Sequence, residues 1–310
     1  MYRRMLIPLD GSDLAEVVFT YAKELAGRLD LEITLLCVSG PALQQFIPMQ
    51  RAYIEQAAEI IKHRSQEIQA KTSLQPGDKP IEVRGELMAG YPAEEILRYA
   101  DENEIDLILM ATHGRSGIKR WSMGSVADKV LRESKIPICL IPAGVTDKTP
   151  YDQWPRITII VPLDGSELAE SVLPHVKTLA KQRGIESVDV SLLRICEPPT
   201  IPAYYGPDLS GMPLNWGEYV QQETDRNRQA AKEYLAIVEK QLRDIGISAR
   251  SEVIVEKAAD GIVDYVNKNP FNFIIMATHG RSGLSRWVYG SITENVLQGV
   301  FSPILLVRSH

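Results

Sequence analysis

The sequence predicts a parallel α/β fold laid down twice in one chain. Three observations carry this reading. Short apolar runs alternate with longer amphipathic stretches, the runs are apolar throughout rather than on every second residue, and the pattern returns after 154 to 166 residues. Continuously apolar strands are expected where helices cover both faces of a sheet, and parallel neighbours need crossovers long enough to hold a helix. A chain of 310 residues accommodates two such units of roughly 150 residues each.

The elements follow in order. Residues 5–9 are an apolar run ending at Leu9-Asp10-Gly11-Ser12. Ser12 is placed to cap a helix through about residue 28, with Asp13 and Glu16 favourable at its positive end. LEITLLCV (31–38) reads as a buried strand from its aliphatic and β-branched content. A helix of about 20 residues is expected at 51–71 and a strand at 80–86. GYPAEEILRYADEN sets Pro92 near a helix start, where its missing N–H costs nothing, and IDLILM (105–110) is a short apolar strand. The loop ATHGRSGIKRWSM leads to a helix at about 125–134, and IPICLI (136–141) closes the half.

The second half repeats this order. MLIPLDGSDLAE (5–16) returns as IIVPLDGSELAE (159–170), and AEEILRYADENEIDLILMATHG (93–114) as ADGIVDYVNKNPFNFIIMATHG (259–280). The offset grows from 154 to 166, so the second half carries 12 extra residues. Their expected place is EPPTIPAYYGPDLSGMPLNWGEY (197–219), which reads as a long loop from its Pro, Gly and Tyr content. AGVTDKTPYDQWP (143–155) reads as the linker, giving domains at 1–145 and 156–310.

Composition excludes several classes. Residues 1–150 hold 18 Lys and Arg against 21 Asp and Glu, and the remainder 16 against 19, so neither half is a basic module for nucleic acid. No apolar run is long enough for a signal peptide or a membrane span, which leads us to expect a cytoplasmic protein. Cys37, Cys139 and Cys196 lie far apart in or beside apolar runs and read as reduced core residues, with no pair spaced for a metal. GRSGIKR lacks the spacing of a P-loop, and LDGSDLAE is not the glycine turn of a dinucleotide site.

The seven-residue loop ATHGRSG occurs at 111–117 and again at 277–283, followed each time by Arg-Trp and Gly-Ser at the same distances. It begins where an apolar strand ends, the place where ligands sit in doubly wound sheets. Gly114 and Gly117, with Gly280 and Gly283, let the backbone turn its N–H groups inward and approach a ligand closely. Gly124-Ser125 and Gly290-Ser291 open the next helix, where unpaired amides and the helix dipole favour an anion. Arg115 and Ser116, with Arg281 and Ser282, add a charge and a donor. These groups compose a phosphate cradle. Asp10 and Asp164, past the first strand of each half, offer an acceptor to a base or ribose. Val38 and Ile195 end the second strand, where backbone can meet an adenine edge. Cradle, anchor and apolar wall together point to a mononucleotide.

Other residues carry plainer readings. His113 and His279 lack an orienting partner and a nucleophile, so a structural hydrogen bond in the loop is favoured over catalysis. Trp121 and Trp287 read as packing groups. Arg120 and Arg286 are equally readable as solvated or as phosphate ligands, and Tyr204, Tyr205 and Tyr219 as pocket cover or as packing. Asp10 and Asp164 are also turn formers before a helix cap.

With these residues in place the sequence resembles the universal stress protein family in its tandem form, nearly throughout apart from the linker and 197–219. The nucleotide-binding branch of that family carries G-x2-G-x9-G-S/T. Residues 111–125 read A-TH-G-RSGIKRWSM-G-S and residues 277–291 read A-TH-G-RSGLSRWVY-G-S. The spacing matches, and the first glycine is replaced by Ala111 and Ala277, whose methyl either tightens the pocket or weakens affinity. The resemblance implies two tandem Rossmann-like domains of the adenine nucleotide alpha hydrolase-like kind. Each is a five-stranded parallel sheet of order 3-2-1-4-5 flanked by helices, and the two pair about a two-fold through their last strands. It implies ATP or AMP as ligand, with Mg2+ accompanying ATP. The implied contacts are Pro8, Asp10, Val38, Met110, Ala111, Gly114, Arg115, Ser116, Gly117, Gly124 and Ser125 in the first half. In the second they are Pro162, Asp164, Ile195, Met276, Ala277, Gly280, Arg281, Ser282, Gly283, Gly290 and Ser291. The implied role is a nucleotide-responsive stress regulator without catalytic residues. A protein-interaction scaffold with no nucleotide and a slow ATP hydrolase are the alternatives, and a homodimer and a protein partner are left open.

Overall fold

The computed structural model describes residues 2–29, 31–40, 45–71, 81–112, 123–142, 153–154, 156–199, 216–278 and 290–308. The linker apart from residues 153–154, residues 200–215 of the expected insertion, and both glycine loops at 113–122 and 279–289 lie outside them.

The first half runs β1 (Arg4–Leu9), α1 (Asp13–Glu16), α2 (Phe19–Leu29), β2 (Glu32–Ser39), α3 (Ile47–Lys71), β3 (Val83–Ala89), α4 (Pro92–Glu102), β4 (Leu107–Ala111), α5 (Ser125–Glu133) and β5 (Ile138–Ile141). The second runs β6 (Ile157–Pro162), α6 (Glu167–Glu170), α7 (Leu173–Arg183), β7 (Val188–Cys196), α8 (Trp216–Arg243), β8 (Ser248–Val255), α9 (Ala258–Lys268), β9 (Asn272–Thr278), α10 (Ser291–Gly299) and β10 (Ile304–Arg308).

Among the described residues the strands form one ten-stranded sheet, β3-β2-β1-β4-β5-β10-β9-β6-β7-β8. Counted within each half the order is 3-2-1-4-5, with parallel neighbours, as the resemblance implies. The halves join where β5 and β10 pair antiparallel, Leu140 opposite Ile304, Cys139 opposite Leu305 and Ile138 opposite Leu306. Successive strand residues point to opposite faces, so Met5 and Ile7 enter one core layer and Leu6 the other. The first layer is closed by helices that contribute Tyr21, Ile54, Val176 and Leu235, and the second by helices that contribute Ile96, Val130, Ile262 and Val296. Both layers cross the junction, which explains why the strand runs are apolar at every position.

Contacts outside the sheet reinforce the junction. Glu24 of α2 accepts from Arg28 Nε at 2.5 Å and from Arg183 Nη1 at 2.7 Å, and Arg183 also donates to the carbonyl of Trp154. Tyr2 Oη lies 2.6 Å from His175 Nδ1. Arg308, at the end of β10, donates to the carbonyls of Arg132 and Ser134 at the C-terminal end of α5.

Three expectations are corrected. The helix expected from Ser12 through about 28 is two helices, broken at Val17–Val18. Val18 is fully buried, and its carbonyl accepts from Tyr21 and Ala22 to start α2. The strand expected at 80–86 lies at Val83–Ala89, because pairing with β2 from Ile33 to Ser39 sets its extent. The long loop expected through 219 gives way to α8 at Trp216.

The register also divides the surplus residues of the second half. Leu36 pairs with Pro8 where Leu193 pairs with Pro162, an offset of 157. Gly85 pairs with Leu35 where Ser251 pairs with Leu192, an offset of 166. Three extra residues therefore precede β7, where a 3-10 turn spans Ile185–Ser187, and nine lie between β7 and β8.

Candidate functional site

In each half the sequence order reverses between the first and fourth strands, and the polar candidates among the described residues, Asp10 and Ser125 in the first half and Asp164 and Ser291 in the second, follow β1 and open α5, and follow β6 and open α10. Asp10 follows β1. Its Oδ1 accepts from the Ser12 amide at 3.0 Å and the Ser12 hydroxyl at 2.6 Å, while Ser12 Oγ accepts from the Ala15 amide at 3.3 Å. The second half repeats this: Asp164 Oδ1 accepts from the Ser166 amide at 2.9 Å and hydroxyl at 2.5 Å, and Ser166 Oγ caps α6 through Ala169. One serine thus caps the helix and holds the aspartate at the strand end. Burial works against the charge of Asp164, but the two bonds from Ser166 and the nearby Arg194 outweigh it and hold the carboxyl below the usual range.

The other wall comes from the fourth strand and the helix after the loop. Thr112 follows β4; its amide donates to Ile141 O at 2.9 Å and its carbonyl accepts from the Gly124 amide at 2.8 Å. That bond seats the start of α5 against the strand end. Gly124 and Gly290 precede α5 and α10 with no side-chain cap, so the first-turn amides are left to other acceptors. The two glycines differ in backbone: Gly124 has φ −63°, and Gly290 has φ +82°, a conformation that favours glycine.

In the second half, Pro162, Asp164, Ile195, Met276, Ala277, Gly290 and Ser291 line one cavity of about 230 Å³. These are all the second-half candidates among the described residues. Gly280, Arg281, Ser282 and Gly283 lie outside the described residues, as do Gly114, Arg115, Ser116 and Gly117 of the first half. His113, Arg120, Trp121, Tyr204 and Tyr205, with His279, Arg286 and Trp287, lie outside them too, whereas Tyr219 is exposed in the first turn of α8. In the first half Pro8 and Val38 are half-buried on β1 and β2, and Met110 and Ala111 are buried on β4. Ala111 and Ala277 sit in strands without positive φ, so their methyl groups fit the local backbone. The registers make Ile195 the counterpart of Val38, two residues past Leu193 and Leu36.

Sequence reasoning missed several lining residues: Leu163, Ser166, Leu168, Ala169, Arg194, Ala258, Ile262, Ile292 and Thr293. Arg194 is the one with chemistry. Its signal is an arginine inside the otherwise apolar end of β7, SLLRIC. Next to the cavity, Tyr234 of α8 donates to Glu170 at 2.9 Å, and burial with that carboxylate pushes its phenol above its ordinary value. Among the described residues, no three His, Cys, Asp or Glu side chains gather to hold a metal ion, and no helix is long and apolar enough to cross a membrane. The arrangement offers the first-turn amides of α10, which Gly290 leaves without a side-chain cap, and a guanidinium to an anion, a carboxylate to a hydroxyl or amine, and an apolar wall from Ile195, Ile262 and Met276.

A family model described as the universal stress protein family matches residues 1–142 and again 156–308. A universal stress protein of Methanocaldococcus jannaschii is 28% identical over 141 residues, covering 46% of this chain and 82% of that protein. One of Mycolicibacterium smegmatis is 22% identical over 308 residues, 98% of this chain and 96% of the other. Among solved structures, a universal stress protein from Archaeoglobus fulgidus matches with a TM-score of 0.66 at 18% identity over 98% of both chains, a likeness of fold.

Proposed function

Because this chain belongs to the universal stress protein family, we propose that each half binds an adenine nucleotide, ATP or AMP, and that the protein is a nucleotide-responsive regulator. The observation that carries this reading is the second-half cavity. An acceptor at the end of the first strand, an apolar wall from the second and fourth strands, and an uncapped helix start converge on one space.

These residues fit an adenine nucleotide. The amides at the start of α10 and α5, with Ser291 and Ser125, suit phosphate oxygens, to which the glycine loops would add Arg281 and Ser282 or Arg115 and Ser116. Asp164 and Asp10, held in place by Ser166 and Ser12, accept from a ribose or base. Mg2+ would enter with ATP. The two binding units are residues 1–145 and 156–310, and the protein works in the cytoplasm. Regulation requires that nucleotide bind two states of the molecule unequally, so that occupancy alters a surface that a protein partner reads.

The experiment is calorimetric titration of nucleotide-free protein with ATP, AMP and GTP in the presence of magnesium. The expected result is saturable, adenine-selective binding with a stoichiometry near two; near one would leave a single working half. No heat and no thermal shift would overturn the reading in favour of an interaction scaffold. Magnesium-dependent phosphate release lost on Asp10→Asn or Asp164→Asn would instead make the chain a slow hydrolase.

A further inference from the structure

Among the residues that line the second-half cavity, one differs in charge from its first-half counterpart. Because Pro8 pairs with Leu36 and Pro162 with Leu193, the next residues, Cys37 and Arg194, occupy the same place on the second strand of their halves. Cys37 is 2% exposed. Arg194 is half-buried and lines the second-half cavity together with Asp164, its Nη1 3.5 Å from the carbonyl of Leu163. The surroundings match as well: Tyr53 of α3 stands near Asp10 and Cys37 as Tyr234 of α8 stands near Asp164 and Arg194.

A guanidinium is charged at every accessible pH, whereas a thiol never carries positive charge. The Asp164 carboxylate by itself repels a polyanion from the cavity. Arg194, facing the same space, cancels that repulsion and adds donors, and partial burial strengthens both effects relative to open water. We infer that Arg194 sets the charge selectivity of the second-half site, which prefers a nucleoside triphosphate over the uncharged nucleoside by a wider margin than the first-half site does. This rests on the nucleotide reading above and assigns the halves different ligand classes: the second is the polyphosphate-selective one, and the first depends more on base and sugar.

The test is calorimetric titration of the full chain with ATP and with adenosine, resolved into two classes of site, repeated on Arg194→Cys and Arg194→Lys. With Arg194→Cys, one class is expected to lose about tenfold or more in ATP affinity while adenosine changes by less than about twofold. Arg194→Lys keeps most of the ATP preference, and added salt narrows the preference in the unmodified chain more than in the cysteine variant. Equal weakening of ATP and adenosine in Arg194→Cys assigns the arginine a packing role and overturns the inference. Loss of the ATP preference in a well-folded Arg194→Lys protein, checked by thermal melting, overturns the charge argument. No heat from ATP with the unmodified chain removes the nucleotide reading itself, an outcome distinct from either.

Discussion

Cys139 of β5 lies directly across from Leu305 of β10, and the two halves of the molecule meet at that antiparallel pair. Both side chains are 1% exposed, which makes the junction part of one continuous core rather than a contact between finished domains. Leu305→Ala is expected to cost about 2–5 kcal/mol, the range for emptying a buried leucine site. Urea denaturation should show a lower midpoint for the whole chain. A loss confined to the second half would mean that the halves unfold independently.

Glu24 is the second fastening. It is 2% exposed and holds Arg183, itself 9% exposed, across the junction. Removing one member of a buried pair strands the other charge, so Glu24→Ala should destabilise by about 3–5 kcal/mol, far more than an exposed ion pair. Replacing Glu24 and Arg183 together by apolar residues should recover much of that loss in thermal melts.

Ser166 couples a helix cap to the charge of Asp164. The folded carboxyl titrates below its ordinary value, so its contribution to stability is present above the unfolded value of about 3.9 and is lost as pH falls toward the lower folded value. Ser166→Ala is expected to cost about 1 kcal/mol near neutral pH through the lost cap. It should also move the Asp164 titration midpoint upward in an NMR titration; an unmoved midpoint would show that the backbone amides and Arg194, not the Ser166 hydroxyl, hold it down.

Gly124 and Gly290 should respond differently to the same change. Alanine adopts φ −63° without strain, while φ +82° costs an L side chain about 1–2 kcal/mol. Gly290→Ala should therefore lower the melting temperature by more than Gly124→Ala does, since both lose a favourable N-cap glycine and only Gly290 adds backbone strain. Gly124→Val should block one of two nucleotide sites by its bulk, with calorimetric stoichiometry falling from near two to near one.

Much of the fold was legible because it rests on local properties. The uninterrupted apolar runs of β1, β4 and β9 announce strands covered on both faces. Ser12 and Ser166, with acidic residues after them, mark helix starts, and Pro92 marks another. Elements failed where a distant contact decides: the extent of β3 follows from its pairing with β2. At the site, Asp164, Gly290 and Ile195 were legible from the duplicated motif and strand order. Arg194 was not, because an arginine near a strand end is usually a surface group, and only the packing of that strand's neighbours makes it a cavity wall.

The sequence by itself determined the twofold repetition, the element order and the residue types at the strand ends, since periodicity, capping and repetition are properties of neighbouring residues. The pairing of the halves through β5 and β10 was implied by the family resemblance, but tertiary structure alone decided its register, that Glu24 reaches Arg183, and that Arg194 stands in the place of Cys37. Those outcomes depend on register and on contacts between residues far apart in the chain, whose energies are set when strands pair and faces are buried together.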